Sequence, residues 1–157
     1  MKNIVLTRID ERLIHGQVIT SWLKLASPNT IVIMDDMSAS NAFAKRILFA
    51  AAPKDIDMKV LSVADAIEYL KGEHENERVF VMAKVPGPVL TAIKQGVEFK
   101  EVNLGNMGGG PGRNRFNKNV NASPQEVAEF QEIVEAGVPV YAQMVPTDAK
   151  IDLKSLL

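Results

Sequence analysis

The stretch of sequence that decides the fold is Ile4-Val5-Leu6-Thr7-Arg8-Ile9-Asp10-Glu11-Arg12-Leu13-Ile14-His15-Gly16-Gln17-Val18. It opens with an apolar run, residues 4–6, which predicts a buried strand. Apolar residues at helical spacing follow and predict a helix with one face against the core: Val18, Ile19, Trp22, Leu23 and Ala26. Charged residues and a histidine are therefore crowded into a strand-to-helix turn. In parallel α/β sheets, such turns lie at the edge where ligands bind.

The same alternation of strand and helix repeats outward from this turn. Five further apolar runs predict strands at residues 30–34, 58–61, 78–83, 101–104 and 138–145, with helical patterns between them. Residues 119–122 are expected to be irregular. Strands that are apolar on both faces and separated by helices predict an α/β fold. We expect a single domain, residues 1–157, with a mostly parallel twisted sheet of six or seven strands and helices on both faces.

Local signals mark where several of the helices begin. Ser62 and Ser123 each precede an acidic residue three positions later, the pattern of a capping box, and Pro124 suits the first helical position. The helix after the second strand is expected to face the core with Phe43, Ile47, Leu48 and Ala51.

Composition excludes several classes of function. The net charge of −1 gives no basic excess for a general nucleic-acid binder. The chain has no cysteine and two histidines, far apart in sequence, so neither thiolate chemistry nor a histidine-rich metal centre is expected. We therefore predict no metal and no cofactor. No apolar run approaches the ~20 residues of a membrane-spanning helix or resembles a signal peptide, so a cytoplasmic location is expected.

The histidine of the first turn, His15, is the candidate reactive group. An unperturbed imidazole has a pKa near 6.5, so much of it carries a free lone pair at neutral pH. Arg8 and Arg12 can offer forked donors to phosphate oxygens, and Asp10 can orient either the ring or an arginine. Amides at the start of the following helix would add an anion site. These residues predict either a phosphohistidine or a polar site for another anion.

Two alternatives from other classes remain open on the residues alone. One is a non-enzymatic α/β module that binds an anionic metabolite or nucleotide at the same sheet edge. The other is a metal-assisted hydrolase that uses Asp10, His15, Asp35 and Asp36. The glycine-rich segment 105–113 lacks the Gly-Lys-Ser/Thr ending of a phosphate-binding P-loop and predicts a flexible loop. Glu11 and Arg113 are interpreted as solvated charges, and His74 as a solvated loop residue.

The whole chain resembles the IIB components of the mannose-family (mannose/fructose/sorbose) sugar phosphotransferase system. The motif at residues 8–18 carries most of the likeness, which continues through Asp35-Asp36, Ala51-Ala52-Pro53, residues 102–107 and Val145-Pro146-Thr147-Asp148. The glycine-rich segment favours the N-acetylgalactosamine branch of that family.

The resemblance implies a function, partners and site residues. A phosphorylated IIA protein or domain would phosphorylate His15, at Nδ1 in this family, and the group would pass to the sugar imported by the membrane IIC/IID transporter. Arg8, Asp10 and Arg12 would form the phosphate-binding loop. The implied activity is that of a protein-N(pi)-phosphohistidine–sugar phosphotransferase. We expect the apolar residues Leu13, Ile14 and Met107 to contribute to partner docking.

Overall fold

Strands and helices alternate along the chain, as the sequence predicts. The structure is a computed structural model that describes residues 1–157, except the side chains of Gln17 and Val18. The expected burial of Val18 therefore lies outside the described residues. Its strands are β1 (Ile4–Ile9), β2 (Thr30–Met34), β3 (Asp57–Leu61), β4 (Val79–Ala83), β5 (Val102–Leu104), β6 (Asn114–Asn117), β7 (Val120–Ala122), β8 (Val140–Ala142) and β9 (Ile151–Asp152).

Helices connect most of these strands, and a short 3-10 helix, Leu153–Leu156, follows β9. The α-helices are α1 (Gly16–Ala26), α2 (Asp36–Ser40), α3 (Ala42–Ala51), α4 (Val63–Lys71), α5 (Pro86–Lys94) and α6 (Pro124–Glu135). Ser62 caps α4 by accepting a bond from the Asp65 amide, and Ser123 with Glu126 forms a complete capping box at α6. In the part of the chain that the structure describes, no helix combines the length and apolarity needed to cross a membrane.

The central sheet has seven strands in the order β3-β2-β4-β1-β5-β8-β9, which confirms the predicted architecture. All neighbours are parallel except β9, which runs antiparallel to β8. From β1 in the middle the chain builds one half of the sheet, and after β4 it crosses to β5 on the other side. The boundary between β1 and β5 is thus a topological switch point, where parallel sheets form a ligand crevice beyond their carboxyl ends.

Two apolar cores cover the two faces of the sheet. One core packs α1 and α3 against the sheet through Trp22 and Leu48, with Ile33 and Phe80 among the strand residues. The other core contains residues of α4, α5 and α6. Burial on both faces explains why the central strands read as continuous apolar runs.

Three expectations about elements were wrong. Residues 119–122 are not irregular, because β7 pairs antiparallel with β6 in a separate hairpin. The predicted strand at 138–145 is regular only over β8, because the chain turns after Ala142. On α3 only Leu48 is buried, whereas Phe43 is 67% exposed and Ile47 is 53% exposed.

Candidate functional site

The loop between β1 and α1, residues 10–15, lies at the switch point and carries the candidate residues. The amide of Asp10 donates to the carbonyl of Ala83, which continues the strand by one residue, and the amide of Leu13 donates to the carbonyl of Asp10. Leu13 closes this turn in the left-handed conformation (φ 55°), which is uncommon for a residue with a Cβ. Such local strain persists only where the surroundings enforce it.

Asp10 is the centre of the loop. Its side chain is 1% exposed, and both carboxylate oxygens are occupied. Oδ1 accepts bonds from the amide and Nε of Arg12 at 3.0 and 3.1 Å, and Oδ2 accepts from Nη2 of Arg12 at 3.0 Å and Nη2 of Arg8 at 3.2 Å. Burial alone would raise the pKa of Asp10, but the bonds from Arg12 and the charge of Arg8 outweigh it, and the pKa is lowered. Asp10 is therefore a firmly ionised anchor for two arginines.

Arg12 is the pocket cation that reaches solvent. Its side chain is 38% exposed while its guanidinium remains held by Asp10. Nη2 also lies 3.1 Å from the sulfur of Met144. A guanidinium fixed on one side and open on the other is oriented to bind a phosphate.

Arg8 occupies a different place from the one expected for a phosphate ligand. It is 1% exposed, and it donates to the carbonyls of Gln143 and Met144, each at 2.9 Å, as well as to Asp10. Its guanidinium carbon stacks 4.9 Å from the ring centroid of Trp22, whose Nε1 donates to the same Met144 carbonyl at 3.0 Å. Arg8 thus lies beneath the loop and supports Asp10. The N–H groups of its guanidinium donate to protein acceptors.

His15 stands at the N-cap of α1 with an extended backbone (φ −156°, ψ 134°) and makes no side-chain capping bond. Its side chain is 26% exposed, and Nε2 lies 3.8 Å from Oδ2 of Asp10, within ion-pair range but beyond hydrogen-bond length. Partial burial, and after it the charge of Arg12, lowers the pKa of His15 below 6.5, against the opposing effect of Asp10. The neutral ring is therefore favoured, and His15 directly precedes the first amides of α1, which form an anion-binding helix terminus.

The glycine-rich segment packs directly along this loop. The amide of Gly105 donates to the carbonyl of Ile9, and the amide of Glu11 donates to the carbonyl of Asn106. A Cβ on Gly105 would lie 2.3 Å from Nη2 of Arg8 and 2.4 Å from Oδ2 of Asp10, so only glycine fits there. The segment therefore forms one wall of the site.

Glu11 and Arg113 are not the solvated charges that the sequence suggested. Arg113 is ion-paired with Glu11 and also with Glu126, and the Gly108 amide donates to Glu11 at 2.7 Å. The exposed fractions of the two side chains are 15% for Arg113 and 31% for Glu11. Sequence reasoning missed this pairing because the two residues lie 102 positions apart.

The residues proposed for docking and for metal binding have other surroundings. Leu13, Ile14 and Met107 are buried (3%, 8% and 0% exposed), so the expectation that they dock a partner was wrong. Asp35 accepts from Ser38 and pairs with Lys84 at 3.2 Å, while Asp36 accepts from the Val63 amide. Among the side chains that the structure describes, no group of three or more His, Cys, Asp or Glu could hold a metal ion.

His74 is half-exposed and not merely solvated. Its Nδ1 lies 2.9 Å from Oε1 of Glu77, and the two residues are three positions apart in a loop. Glu77 also accepts bonds from the amide of Glu75. His74 is thus part of a local contact and is not brought to the site of His15.

Sequence comparison identifies the family that shares this arrangement. The family described as "PTS system sorbose subfamily IIB component" matches residues 4–157. The N-acetylgalactosamine-specific phosphotransferase enzyme IIB component 2 of Escherichia coli K12 is 32% identical over 157 residues, covering 100% of both chains. The mannose-specific EIIAB component of the same strain is 31% identical over 155 residues, covering 98% of this chain and 48% of that protein.

Structural comparison agrees with the sequence relatives. The crystal structure of the IIBSor domain of the sorbose permease from Klebsiella pneumoniae superposes with a TM-score of 0.94 at 33% identity, covering 98% of this chain and 95% of that one. The N-acetylgalactosamine, mannose and sorbose relatives are 32%, 31% and 33% identical to this chain. Sequence identity therefore does not single out the N-acetylgalactosamine branch, which the glycine-rich segment favoured.

Proposed function

We propose that this chain, which belongs to the sorbose-subfamily IIB components of the phosphotransferase system, carries its phosphoryl group on His15. The observation that carries the proposal is the state of the His15 ring. The ring makes no capping bond, its neutral form is favoured, Nε2 lies 3.8 Å from the Asp10 carboxylate, and the charge of Arg12 acts on it.

The residues support an in-line transfer to Nδ1. Nε2 is the ring nitrogen that faces Asp10, so it keeps its proton on that side while the lone pair of Nδ1 attacks the phosphorus of a phosphohistidine on the IIA partner. The phosphorus–nitrogen bond of the donor breaks as the bond to Nδ1 forms. Such a loose transition state needs alignment and charge stabilisation more than acid–base catalysis. Arg12 and the first amides of α1 supply both.

The second step returns His15 to its starting state. A sugar hydroxyl attacks the phosphorus, the Nδ1–phosphorus bond breaks, and the hydroxyl proton leaves to solvent or a base. The pocket suits a group that must depart, because Arg8 is committed to protein acceptors and Arg12 shares its charge with Asp10. The phosphate would therefore be held by one partly neutralised arginine and backbone amides.

The partners follow from this chemistry and from the relatives. One relative is named as an EIIAB component, in which this chain matches about half of the protein. We infer that the donor is a phosphorylated IIA protein or domain and that the acceptor is a sugar held by a membrane IIC/IID transporter. The location that goes with this exchange is the cytoplasm.

A labelling experiment tests the proposal. The chain is incubated with phosphoenolpyruvate, the general phosphotransferase proteins and the cognate IIA, and the phosphate is mapped by mass spectrometry. We expect one acid-labile, base-stable phosphate on His15. His15→Ala should abolish it, whereas His74→Ala, which removes the other histidine, should leave it unchanged. Absence of labelling with an active IIA would favour an anion-binding module instead.

A further inference from the structure

Arg113 joins its own glycine-rich segment and the start of α6 to a loop 102 positions away in sequence. Its Nη1 pairs with Glu11 in the β1–α1 loop and donates to the carbonyl of Gly108 at 2.9 Å. Its Nε and Nη2 form a fork with the two carboxylate oxygens of Glu126, each at 2.8 Å. We call Glu11, Arg113 and Glu126 the clasp.

Each end of the clasp is fixed by a second set of bonds. Glu126 closes the capping box of α6, where Oε1 accepts from the Ser123 amide at 3.0 Å and Oγ of Ser123 accepts from the Glu126 amide at 3.1 Å. Glu11 accepts from the Gly108 amide and donates its own amide to Asn106. The clasp therefore connects a rigid helix start to the loop that carries His15.

The glycine segment is shaped to bring Arg113 back to this point. The amide of Arg113 donates to the carbonyl of Gly110 at 3.1 Å, and Gly112 has a left-handed backbone (φ 77°). The bond from Arg113 to the Gly108 carbonyl then closes residues 108–113 into a ring-like loop. A Cβ added to Gly109 or Gly110 would meet nothing within 4 Å, so these two glycines are not needed for close packing. The closure depends instead on Arg113 and on the turn at Gly112.

The charges of the clasp are partly buried, and one guanidinium is shared by two carboxylates. The side chains of Glu126 and Arg113 are 13% and 15% exposed, so removing the cation would leave two carboxylates with poor solvation. The hydrogen bonds that Arg113 donates to Glu126 and then to Glu11 raise its pKa, so Arg113 stays protonated. Partial burial opposes ionisation of Glu126, but the bonds from Arg113 and Ser123 lower its pKa.

We propose that Arg113 is a positioning residue for phosphoryl transfer, because the clasp holds residues 105–108 against the loop that carries Asp10 and His15. This inference rests on the proposed function of His15. Arg113 itself does not touch the reacting atoms in this arrangement. It acts through Glu11 and Gly108, and these set the wall beside the carboxylate that orients the ring. A displacement of about 1 Å in such a wall can cost up to about 100-fold in rate.

The test compares Arg113→Gln with Arg115→Gln in the full chain. Arg115 lies on β6 of the same hairpin, is exposed, and donates to the carbonyl of Lys118 rather than to a carboxylate. We measure the rate constant and the KM for IIA in phosphoryl transfer, and hydrogen exchange at the Gly108 amide by NMR. Arg113→Gln should lower the rate constant about 10-fold or more with little change in KM and should speed exchange at Gly108. Arg115→Gln should change neither.

Two further variants keep the test decisive if Arg113→Gln folds poorly. Glu11→Gln breaks the same ion pair, leaves the capping box of α6 intact, and should by itself lower the rate constant with little change in KM. Arg113→Lys keeps the charge but cannot form the fork to Glu126, so it should retain only part of the rate. Where Arg113→Gln folds, its effect and that of Glu11→Gln should be strongly non-additive in a double-mutant cycle.

The outcomes separate the clasp from the proposed function. A rate constant in Arg113→Gln and Glu11→Gln equal to that of the parent would overturn the positioning role, as would an equal loss in Arg115→Gln. If His15 is never labelled in the parent protein, the proposed function fails. In that case, faster hydrogen exchange at the Gly108 amide in Arg113→Gln than in the parent would still show that the clasp is a structural feature, and its role in transfer would fail together with the proposed function.

Discussion

At the scale of residues, the Asp10 carboxylate gives its two arginine partners different tasks. Arg8 and Arg12 both bond to Oδ2, yet one is 1% exposed and the other 38%. Arg8 extends from β1 into the protein, whereas Arg12 lies in the turn beyond the strand. One cation therefore holds the carboxylate in place, and the other offers its free side to an incoming anion.

The ionisation of His15 is the first property that can be measured. Because burial and Arg12 lower its pKa, we expect an NMR titration to give a value below 6.5, and labelling by IIA should decline only as the pH falls through that value. Arg12→Ala should raise the pKa of His15 and slow phosphoryl transfer severely. The free energy of unfolding of Arg12→Ala should fall by about 1–3 kcal/mol, because the buried Asp10 carboxylate loses two side-chain donors but keeps Arg8.

The matched control is Arg46→Ala, which removes an exposed arginine from α3. It should change neither the titration nor the labelling. A His15 pKa above 6.5 in the parent protein would contradict the described surroundings of the ring, and a large loss of stability in Arg12→Ala would identify that arginine as structural.

Sequence could place the candidate residues at one turn but not predict how deeply each is buried. The position of His15, Arg12 and Asp10 at a strand-to-helix turn followed from apolar periodicity. The burial of Arg8 did not, because its acceptors are backbone carbonyls 135 and 136 residues away. Trp22 was assigned to the core from its spacing, but its stacking on Arg8 and its bond to Met144 depend on the same distant segment.

At the scale of elements, the segment after β5 was the hardest to interpret from sequence. Asn114–Asn117 has a polar sequence with weak strand propensity, so nothing local indicated the β6–β7 hairpin. The pairing depends on tertiary contacts: Met107 forms a bridge with Val120 and is fully buried. The strongly apolar strands β2 and β4 were predicted within one residue at each end, because burial on both faces marks them in any context.

Gly105 tests how closely this segment must approach the pocket. Gly105→Ala would place a Cβ within 2.4 Å of Arg8 and Asp10, both of which are fixed by other bonds. We expect a loss of about 1–3 kcal/mol in the free energy of unfolding, as for overpacked cores, together with slower labelling of His15. Urea denaturation followed by circular dichroism measures the first effect.

Gly109→Ala serves as the control for this substitution. A Cβ there meets nothing within 4 Å, and Gly109 is exposed in the same segment. It should leave stability and labelling close to those of the parent. Equal behaviour of the two variants would mean that the glycine segment does not press against Arg8 and Asp10.

At the scale of the whole molecule, Arg8 links the middle strand of the sheet to the chain after β8. Its two carbonyl acceptors, Gln143 and Met144, lie just beyond β8, and Met144 is also bonded to Trp22 on α1. Gln143 extends the link by donating to the carbonyls of Pro146 and Asp148. The alternation of apolar runs predicts the sheet, but polar contacts of this range have no periodic signature.

Replacement of Arg8 should therefore affect the stability of the entire fold. Arg8→Met keeps much of the side-chain volume but leaves the Gln143 carbonyl and part of Asp10 without their buried partner. Breaking one side of such a buried ion pair costs about 3–5 kcal/mol, more than the change expected for Arg12→Ala. Urea denaturation of the two variants measures the difference, and the transition of Arg8→Met should stay cooperative with a lower midpoint. If Arg8→Met were no less stable than Arg12→Ala, the Arg8 guanidinium would not be the buried link between β1 and the chain after β8.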